Sequence, residues 1–157
     1  MSTWIAEDAV IFGDVVLGDE CSVFYHTVIR AESGKLVFGY GTNIQDNCVI
    51  HGGADNPVAV GDYVTVGHSA ILHGCTIGNN TLIGMGSIIM DHAEIGNNVV
   101  IGAGSLVTGG TVIPDNSMAF GRPAKVVRSL TDEEIAQIRQ SAEHYIEIKE
   151  LHQERTK

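Results

Sequence analysis

Apolar residues recur along this chain at a step of six. A glycine often follows the apolar position, and a small or β-branched residue often lies four positions past it. One short structural unit is therefore repeated, and such a repeat decides the architecture before any local feature does. Seventeen residues occupy the repeated position: Ile11, Leu17, Val23, Ile29, Phe38, Ile44, Ile50, Val60, Val66, Leu72, Ile77, Ile83, Ile89, Ile95, Ile101, Val107 and Ile113.

The repeat predicts an all-β fold, a parallel β-helix of triangular cross-section. β-branched residues separated by Gly, Asn and Asp favour short strands joined by tight corners, and three units make one turn. Seventeen units give between five and six turns, a column roughly 25–30 Å long at about 4.7–4.9 Å per strand. The repeated side chains point into the prism, and their strand neighbours point outward.

The last part of the chain has a helical pattern. Glycine disappears, charge rises, and Thr131 with Glu134 forms a capping box, in which each side chain pairs with a free backbone N–H of the first turn. Lys149 ends the apolar face of this helix after about five turns. The apolar residues that share this face are Ile135, Ile138, Ala142, Tyr145 and Ile146.

These patterns predict a single domain. A β-helix occupies residues 1–129 and ends in a linker with a proline turn, Gly121–Ser129; a C-terminal α-helix, residues 130–157, packs on the β-helix. The chain has three cysteines and no CxxC motif, and we interpret them as small buried residues, since free cysteine packs as a small hydrophobe.

The six-residue step is broken at three places, all in the middle of the repeat. The steps Ile29–Phe38 and Ile50–Val60 are three and four residues too long, and Leu72–Ile77 is one residue too short. Insertions in a solenoid form corner loops, often on the binding face. Function is therefore expected in this irregular region.

Three histidines lie in the irregular region. The residues after the fourth, seventh and tenth repeat positions share one face on successive turns, and they are Arg30, His51 and His73. Their imidazoles should be about 4.7–4.9 Å apart, close enough to share a metal ion. His68 belongs to another face, beside Asp46. A neighbouring copy of the chain is therefore needed to bring the third histidine to the other two.

This arrangement predicts a metal site between subunits. A cyclic homotrimer with three equivalent sites is the economical closed assembly, although the spacing alone also allows a dimer. Three neutral histidines leave one position open on tetrahedral Zn²⁺, which lowers the pKa of bound water to about 7. Fe²⁺ and Co²⁺ also accept such ligands. A lone outward histidine is usually a surface residue, and we interpret the remaining ones as structural or surface residues: His26, His92, His144 and His152.

Composition narrows the range of partners. A net charge of −10 argues against nucleic acid or an anionic membrane surface. Residues 1–10 lack the basic and apolar segments of a signal peptide, and no apolar stretch reaches the roughly 18–20 residues of a membrane span. We expect a cytoplasmic protein that acts on a small molecule.

Three segments carry a family likeness: NIQDNCVIH (43–51), VTVGHSAILHGC (64–75) and GRPAKVVR (121–128). On these residues, and over nearly its whole length, the chain resembles the γ-class carbonic anhydrases and their close relatives. The resemblance implies a left-handed coil, a homotrimer, and CO₂ and bicarbonate as substrates. It also implies a metal held by His51 and His73 of one subunit and His68 of the next.

Five further residues match functional positions of that family. By this resemblance, Gln45 and Asn43 position the substrate or the metal-bound hydroxide through hydrogen bonds. Arg30 and Asp46 match an active-site arginine and aspartate, and an ion pair between subunits is favoured over direct chemistry for them. Tyr145 matches a tyrosine of the final helix, and helix packing explains it equally well.

Two departures from the family pattern lie close to the site. SVFYHTVIRAE (22–32) stands where relatives usually have SIWxNxVLRGD, so Glu32 replaces an aspartate and moves its charge by one methylene. The loop after His51, GGADNPVAV (52–60), is short and lacks the acidic insertion that carries a proposed proton-shuttling glutamate in the best-known type. Slow regeneration of hydroxide is one expected consequence.

Three functions fit these residues. The favoured one is a metal-dependent lyase, a carbonic anhydrase (carbonate dehydratase) in which metal-bound hydroxide attacks CO₂. The second is a thioesterase or acyl-group hydrolase with the same metal site, although no basic cluster is present for the phosphates of a coenzyme A-like molecule. The third is a catalytically weak metal-binding scaffold trimer, which the short loop and Glu32 favour.

Overall fold

The six-residue repeat folds as a parallel β-solenoid of about six turns, followed by one helix, as the sequence predicts. The computed structural model describes residues 2–155. Its elements are β1 (Trp4–Ile5), β2 (Val10–Leu17), β3 (Ser22–Val23), β4 (Val28–Phe38), β5 (Asn43–Ile44), β6 (Val49–His51), β7 (Ala59–Val60), β8 (Thr65–Val66), β9 (Ile71–His73), β10 (Thr76–Ile77), β11 (Leu82–Ile83), β12 (Ile88–Ile89), β13 (Glu94–Ile95), β14 (Val100–Ile101), β15 (Leu106–Val107), β16 (Val112–Ile113), β17 (Ser117–Gly121), β18 (Ala124–Ser129) and α1 (Asp132–Arg155).

Parallel pairing between successive turns gives the coil three faces. Face 1 contains the first halves of β2 and β4, with β6, β9, β12 and β15. Face 2 contains the second halves of β2 and β4, with β7, β10, β13 and β16. Face 3 contains β1, β3, β5, β8, β11, β14 and β17. The long strands β2 and β4 turn one corner, so that faces 1 and 2 form one continuous sheet.

The repeated apolar residues fill the interior, as their spacing predicts. All but two of them are buried. Ile11 and Leu17 are only partly buried because they belong to the first turn, where β1 covers face 3 but no strand of residues 2–155 lies below β2 on the other faces. The core is therefore one narrow apolar column that extends through all complete turns.

Glycine follows the repeated position because the next turn passes very close to it. A Cβ on Gly78 would lie 2.7 Å from the carbonyl carbon of Gly96 and 2.8 Å from the backbone nitrogen of Asn97. Neither backbone atom moves without displacing its own turn. The glycine spacing is thus a packing requirement of the stacked corners.

Gly78→Ala is expected to lower the free energy of unfolding by about 2–3 kcal/mol, the cost of overpacking a rigid contact. Gly104 is a matched control, because a Cβ there meets nothing within 4 Å and only its φ of +69° opposes a side chain. Gly104→Ala should cost about 1 kcal/mol. Urea unfolding at equal protein concentration measures both, and a larger loss for Gly104→Ala would contradict the explanation.

The three cysteines are buried within the coil, as predicted. Burial raises the thiol pKa of Cys21 to about 11 and those of Cys48 and Cys75 to about 12. A thiol in this state is neither a good nucleophile nor a ready metal ligand. These residues therefore act as small core side chains.

The segment before the helix corrects one prediction. The linker predicted over Gly121–Ser129 is wrong, because β17 and β18 form an antiparallel hairpin there. The proline turn is correct and lies between the two strands, at Arg122–Pro123. The hairpin adds one strand to the upper edge of face 3 and brings the chain to the start of α1.

The helix has 24 residues and lies within the predicted segment 130–157; it exceeds the five turns expected from its apolar face, and it contacts β3, β5 and β8 on face 3. The capping box is confirmed: the Thr131 N–H donates to Glu134 (2.9 Å), and the Glu134 N–H donates to Thr131 (3.2 Å). Ile138 and Ala142 are buried, as expected. Lys149 is buried too, although its charge predicted the end of the packed face.

Candidate metal centre

All three irregular steps of the repeat surround one position on face 1. In the first, Glu32–Gly34 bulge out between the first and second halves of β4, since the pairing register with β2 jumps there. In the second, residues 52–58 form a loop between β6 and β7. In the third, Gly74 turns a shortened corner with a φ of +57°. His51 and His73 lie between these features.

The predicted column of Arg30, His51 and His73 is present. The three residues are direct register partners on adjacent strands of face 1. The two imidazole rings have centroids 4.9 Å apart. His51 Nδ1 and His73 Nε2 face each other at 2.9 Å. Strand register, set by the buried repeat, therefore brings the two histidines together.

A carboxylate holds the other nitrogen of each ring. His51 Nε2 lies 3.0 Å from Glu32, and His73 Nδ1 lies 2.7 Å from Asp91. A neutral imidazole that donates to a carboxylate through one nitrogen presents a lone pair at the other. Two facing lone pairs repel unless a cation lies between them.

The donor set fits a first-row metal ion. A Zn–N bond is about 2.0–2.1 Å, so one ion can reach two nitrogens 2.9 Å apart. Metal-bound histidines usually donate their second N–H to a carboxylate or carbonyl, as both rings do here. We name His51, His73 and their two carboxylates the face 1 half-site.

The electrostatics of the face 1 half-site favour a neutral His51. Burial lowers the pKa of this ring, and the positive charge of Arg30 lowers it further. The pKa of Asp91 is also below its usual value, chiefly because His73 donates a hydrogen bond to it. A neutral imidazole beside an ionised carboxylate is the state that binds a metal.

Glu32 links Arg30 to the histidines. Its Oε1 pairs with the Arg30 guanidinium, and its Oε2 lies against His51. Asp46, the other member of the predicted ion pair, contacts His68 instead, at 2.8 Å. Within the described chain Arg30 and Asp46 therefore have separate partners, and their pairing between subunits stays a prediction.

His68 lies on face 3 with Asn43 and Gln45. The backbone N–H of His68 donates to Gln45 Oε1 (3.2 Å), and Gln45 Nε2 donates to Asn43 Oδ1 (3.2 Å). Asn43 in turn donates to Thr65 Oγ1 at 2.9 Å. Asn43 and Gln45 are both buried, and their bonds fix the orientation of each amide. With Asp46 on the ring of His68, these residues form the face 3 half-site.

A cleft of about 390 Å³ opens beside the face 3 half-site, between the coil and helix α1. His68, Gln45 and Tyr145 line its polar end, and Leu82 and Val100 are among the apolar residues that line the rest. The pKa of Tyr145 is raised by burial and by the negative charge of Asp46. The phenol is therefore a neutral donor at physiological pH. Tyr145 also packs edge-on against Phe24, with centroids 5.6 Å apart.

One chain does not join the two half-sites. Among residues 2–155, no group of three or more His, Cys, Asp or Glu side chains is placed to hold a metal ion. This separation agrees with the sequence prediction that His68 belongs to a different face from His51 and His73. Each half-site is internally ordered and lacks ligands that the other has.

Sequence reasoning missed Asp91 and Asn56. Asp91 contacts His73, and Asn56 donates to Asp91 at 2.6 Å. Asp91 follows the repeated position Ile89 by two residues, so it lies at a corner and not in the column above His73. Asn56 lies in the second insertion, which the broken spacing marked only as a region.

No helix in the part of the chain that the structure covers combines the length and the apolar character needed to cross a membrane.

The chain is similar to known proteins over nearly its whole length. Residues 74–109 match the family model "Bacterial transferase hexapeptide (six repeats)". The carbonic anhydrase of Geobacillus kaustophilus is 49% identical over 159 residues, covering 99% of this chain and 87% of the relative. Gamma carbonic anhydrase 2, mitochondrial, of Arabidopsis thaliana is 41% identical over 155 residues, covering 95% and 56%. The crystal structure of a hexapeptide transferase family protein from Anaplasma phagocytophilum has a TM-score of 0.85 at 42% identity, covering 94% and 91%.

Proposed function

The chain belongs to the γ-class carbonic anhydrase-like family of hexapeptide-repeat proteins, and from this membership we propose that it hydrates CO₂ to bicarbonate at a metal site shared between subunits of a homotrimer. Its relatives identify it as a carbonic anhydrase-like enzyme. The shared metal, the trimer and the residues that act are the parts of the proposal that need support from this chain.

The facing nitrogens of His51 and His73 carry the proposal. Each ring is held from behind by a carboxylate, and the 2.9 Å between Nδ1 and Nε2 suits a shared proton or a metal ion. A bridging proton satisfies two nitrogens only, whereas a metal ion accepts further ligands. We propose that His68 of a neighbouring subunit is the third ligand and that zinc, Fe²⁺ or Co²⁺ is the ion.

An apolar stripe supports the subunit contact. The residue before each repeated position on face 1 is aliphatic and points outward, and Val10 and Val49 are 53% and 41% exposed. Contiguous exposed apolar surface beside polar groups marks an interaction site. Face 3 offers the complementary apolar cleft beside His68. The stripe consists of Val10, Val28, Val49, Ile71, Ile88 and Leu106.

A contact between face 1 of one subunit and face 3 of the next is head-to-tail. Such a contact closes into a ring when the rotation between subunits divides a full turn, and a triangular column favours three. It would bring the apolar stripe onto the cleft and one half-site onto the other. The same arrangement would bring Arg30 of one subunit near Asp46 of the next, as the proposed ion pair requires.

The side chains then have distinct roles. A bound metal supplies hydroxide at neutral pH by lowering the pKa of its water. Glu32 and Asp91 hold the two face 1 rings in the tautomer that leaves a lone pair for the ion, and Asp46 holds His68. Gln45 has a second amide N–H beyond the one given to Asn43, and this donor can orient CO₂ or bicarbonate.

Tyr145 completes the polar end of the cleft. Its raised pKa keeps the phenol protonated, so it donates a hydrogen bond to bicarbonate and does not act as a base. The apolar remainder of the cleft suits uncharged CO₂ and favours release of the anion. The family's proton-shuttling loop is missing here, so proton export passes to solvent or buffer and turnover is expected to respond to buffer concentration.

A thioester hydrolase is the second candidate, and the apolar cleft is the observation that favours it. A volume of about 390 Å³ admits a short acyl chain beside His68 and Tyr145. A metal held by the same residues would supply the nucleophile for a thioester carbonyl. Against it, the 9 Lys and Arg residues are outnumbered by 19 Asp and Glu residues. The resulting net charge of −10 repels the phosphates of a coenzyme A-like substrate.

Metal analysis and two assays test the proposal. The protein is purified without oxidation, loaded with Zn²⁺, Fe²⁺ or Co²⁺, and its metal content and mass in solution are measured. We expect one metal per chain, a trimer, and CO₂ hydration that rises with buffer concentration and disappears with a chelator. Thioester hydrolysis without CO₂ hydration would support the second candidate. Bound metal without either activity would indicate a scaffold.

A further inference from the structure

We propose that Asn56 and Asp91 form a positioning pair for His73, through which the short loop of residues 52–58 sets the metal affinity of the face 1 half-site. This inference rests on the proposed metal centre and assigns a role to two residues that neither the repeat nor the family resemblance identified. The pair touches no reacting atom, and it acts only through the imidazole of His73.

The geometry of the pair is direct. Asn56 Nδ2 donates to Asp91 Oδ1 at 2.6 Å, and His73 Nδ1 donates to the same oxygen at 2.7 Å. Two donors on one oxygen fix the carboxylate in position and direction. The rotation of the His73 ring is then determined by Asn56 and Asp91, two residues that lie 35 positions apart in the chain.

Gly74 makes this contact possible. It follows His73 directly, and a Cβ there would lie 2.6 Å from Asp91 Oδ1, 2.7 Å from Asn56 Nδ2 and 2.9 Å from Asn56 Cβ. Its φ of +57° also favours glycine. The absence of a side chain at Gly74 therefore leaves the space in which the two side chains meet. A loop that only crossed the surface would need no such clearance.

The loop that carries Asn56 is itself fixed. Gly53 and Asn56 exchange backbone hydrogen bonds of 3.2 and 3.3 Å, which close a tight turn. The Ala54 N–H donates to Ser33 Oγ, which belongs to the first insertion. The two insertions thus contact each other. The first carries Glu32, which contacts His51, and the second carries Asn56, which contacts Asp91.

This arrangement gives the short loop a function of its own. Partners that hold a metal-bound histidine raise its basicity and keep the correct nitrogen free, and their loss typically costs about 10–100-fold in metal affinity. In the described chain Asp91 is the carboxylate on the outer nitrogen of His73. Asn56 is the neutral donor that keeps this carboxylate from turning to solvent.

Zinc affinity and histidine tautomers test the pair on the intact protein. Asp91→Ala is expected to weaken Zn²⁺ binding about 10–100-fold, and Asn56→Ala about tenfold. Asp91→Asn keeps an acceptor oxygen and should fall between Asp91→Ala and wild type, which also guards against a folding defect in the alanine variant. In ¹⁵N NMR of the metal-free protein, the Nδ1–H form of His73 should lose population in the same order.

Asn98→Ala is the matched control. Asn98 donates to Asn116 at 2.9 Å and accepts from Asn80 at 2.8 Å across adjacent turns, so its loss removes similar bonds far from the histidines. Unchanged affinity and tautomer in Asp91→Ala, or an equal loss in Asn98→Ala, would overturn the pair. If wild type binds no zinc, the pair and the metal centre fail together. If it binds zinc and does not hydrate CO₂, only the proposed activity fails.

Discussion

Lys149→Ala is expected to lower the free energy of unfolding by about 3–5 kcal/mol, the typical cost of leaving a buried charge without its partner. The ammonium of Lys149 pairs with the carboxylate of Glu20, and both side chains are buried. Lys149 also donates to the carbonyl of Ser2 at 2.9 Å. A loss of this size is a large part of the roughly 5–15 kcal/mol that stabilises a typical domain.

A double variant separates the pair from simple packing. Replacing both buried charges by methionine keeps side chains of similar length and removes the unpaired carboxylate. Lys149→Met/Glu20→Met should therefore recover most of the lost free energy of unfolding. The left-handed φ of 63° at Glu20 costs methionine no more than it costs glutamate. Exposed Lys125 is the control, and Lys125→Ala should change stability by less than about 0.5 kcal/mol.

Urea unfolding at one fixed protein concentration measures all four proteins, since assembly makes stability depend on concentration. A double variant as unstable as Lys149→Ala would show that shape, and not charge, decides the site. Because α1 also carries Tyr145, near-normal activity in the double variant would show in addition that the ion pair serves the fold alone.

The coil and its columns could be predicted because each depends on a short repeated distance. A buried residue at every sixth position fixes the strand register, and register determines which outward residues are neighbours. His51 and His73 therefore contact each other as counted, and His68 lies on another face. Only the first turn differs, where Ile11 and Leu17 lack a strand below them.

The helix shows where a periodic pattern is insufficient. Helical spacing placed Lys149 on the packed face, and its charge suggested that packing ends there. The structure keeps the position and pairs the charge with Glu20, which lies 129 residues earlier in the chain. A buried lysine is tolerated only with such a partner, and the local sequence of α1 does not indicate that Glu20 is that partner.

The side chains behind the histidines are also beyond sequence counting. Glu32, Asn56 and Asp91 lie in the insertions or at a corner, where the six-residue rule gives no direction for a side chain. The broken spacing correctly marked the neighbourhood. Which atom reaches which ring depends on the bulge at 32–34 and on the clearance at Gly74, and both are properties of the folded turns.

Two inactive variants are expected to restore activity when they share a trimer. His68→Ala and His73→Ala should each lose CO₂ hydration about a thousandfold, since metal-assisted activation contributes several kcal/mol and each 1.4 kcal/mol is tenfold. In a mixed trimer, a His68→Ala chain still offers His51 and His73, and a His73→Ala chain still offers His68. The ligand set is complete where a His68→Ala chain supplies His51 and His73 and the neighbouring His73→Ala chain supplies His68.

Random mixing in equal amounts makes about a quarter of all interfaces complete, so co-expressed variants should recover about a quarter of wild-type activity and zinc content. Chains with two different tags allow mixed trimers to be isolated, and two tagged copies of His68→Ala provide the inactive control. A metal held within one chain predicts no recovery at all, because each variant lacks a ligand in every copy. Recovered activity and zinc content therefore distinguish a site shared between subunits from a site within one chain, because only the shared site predicts recovery and it also predicts the fraction recovered.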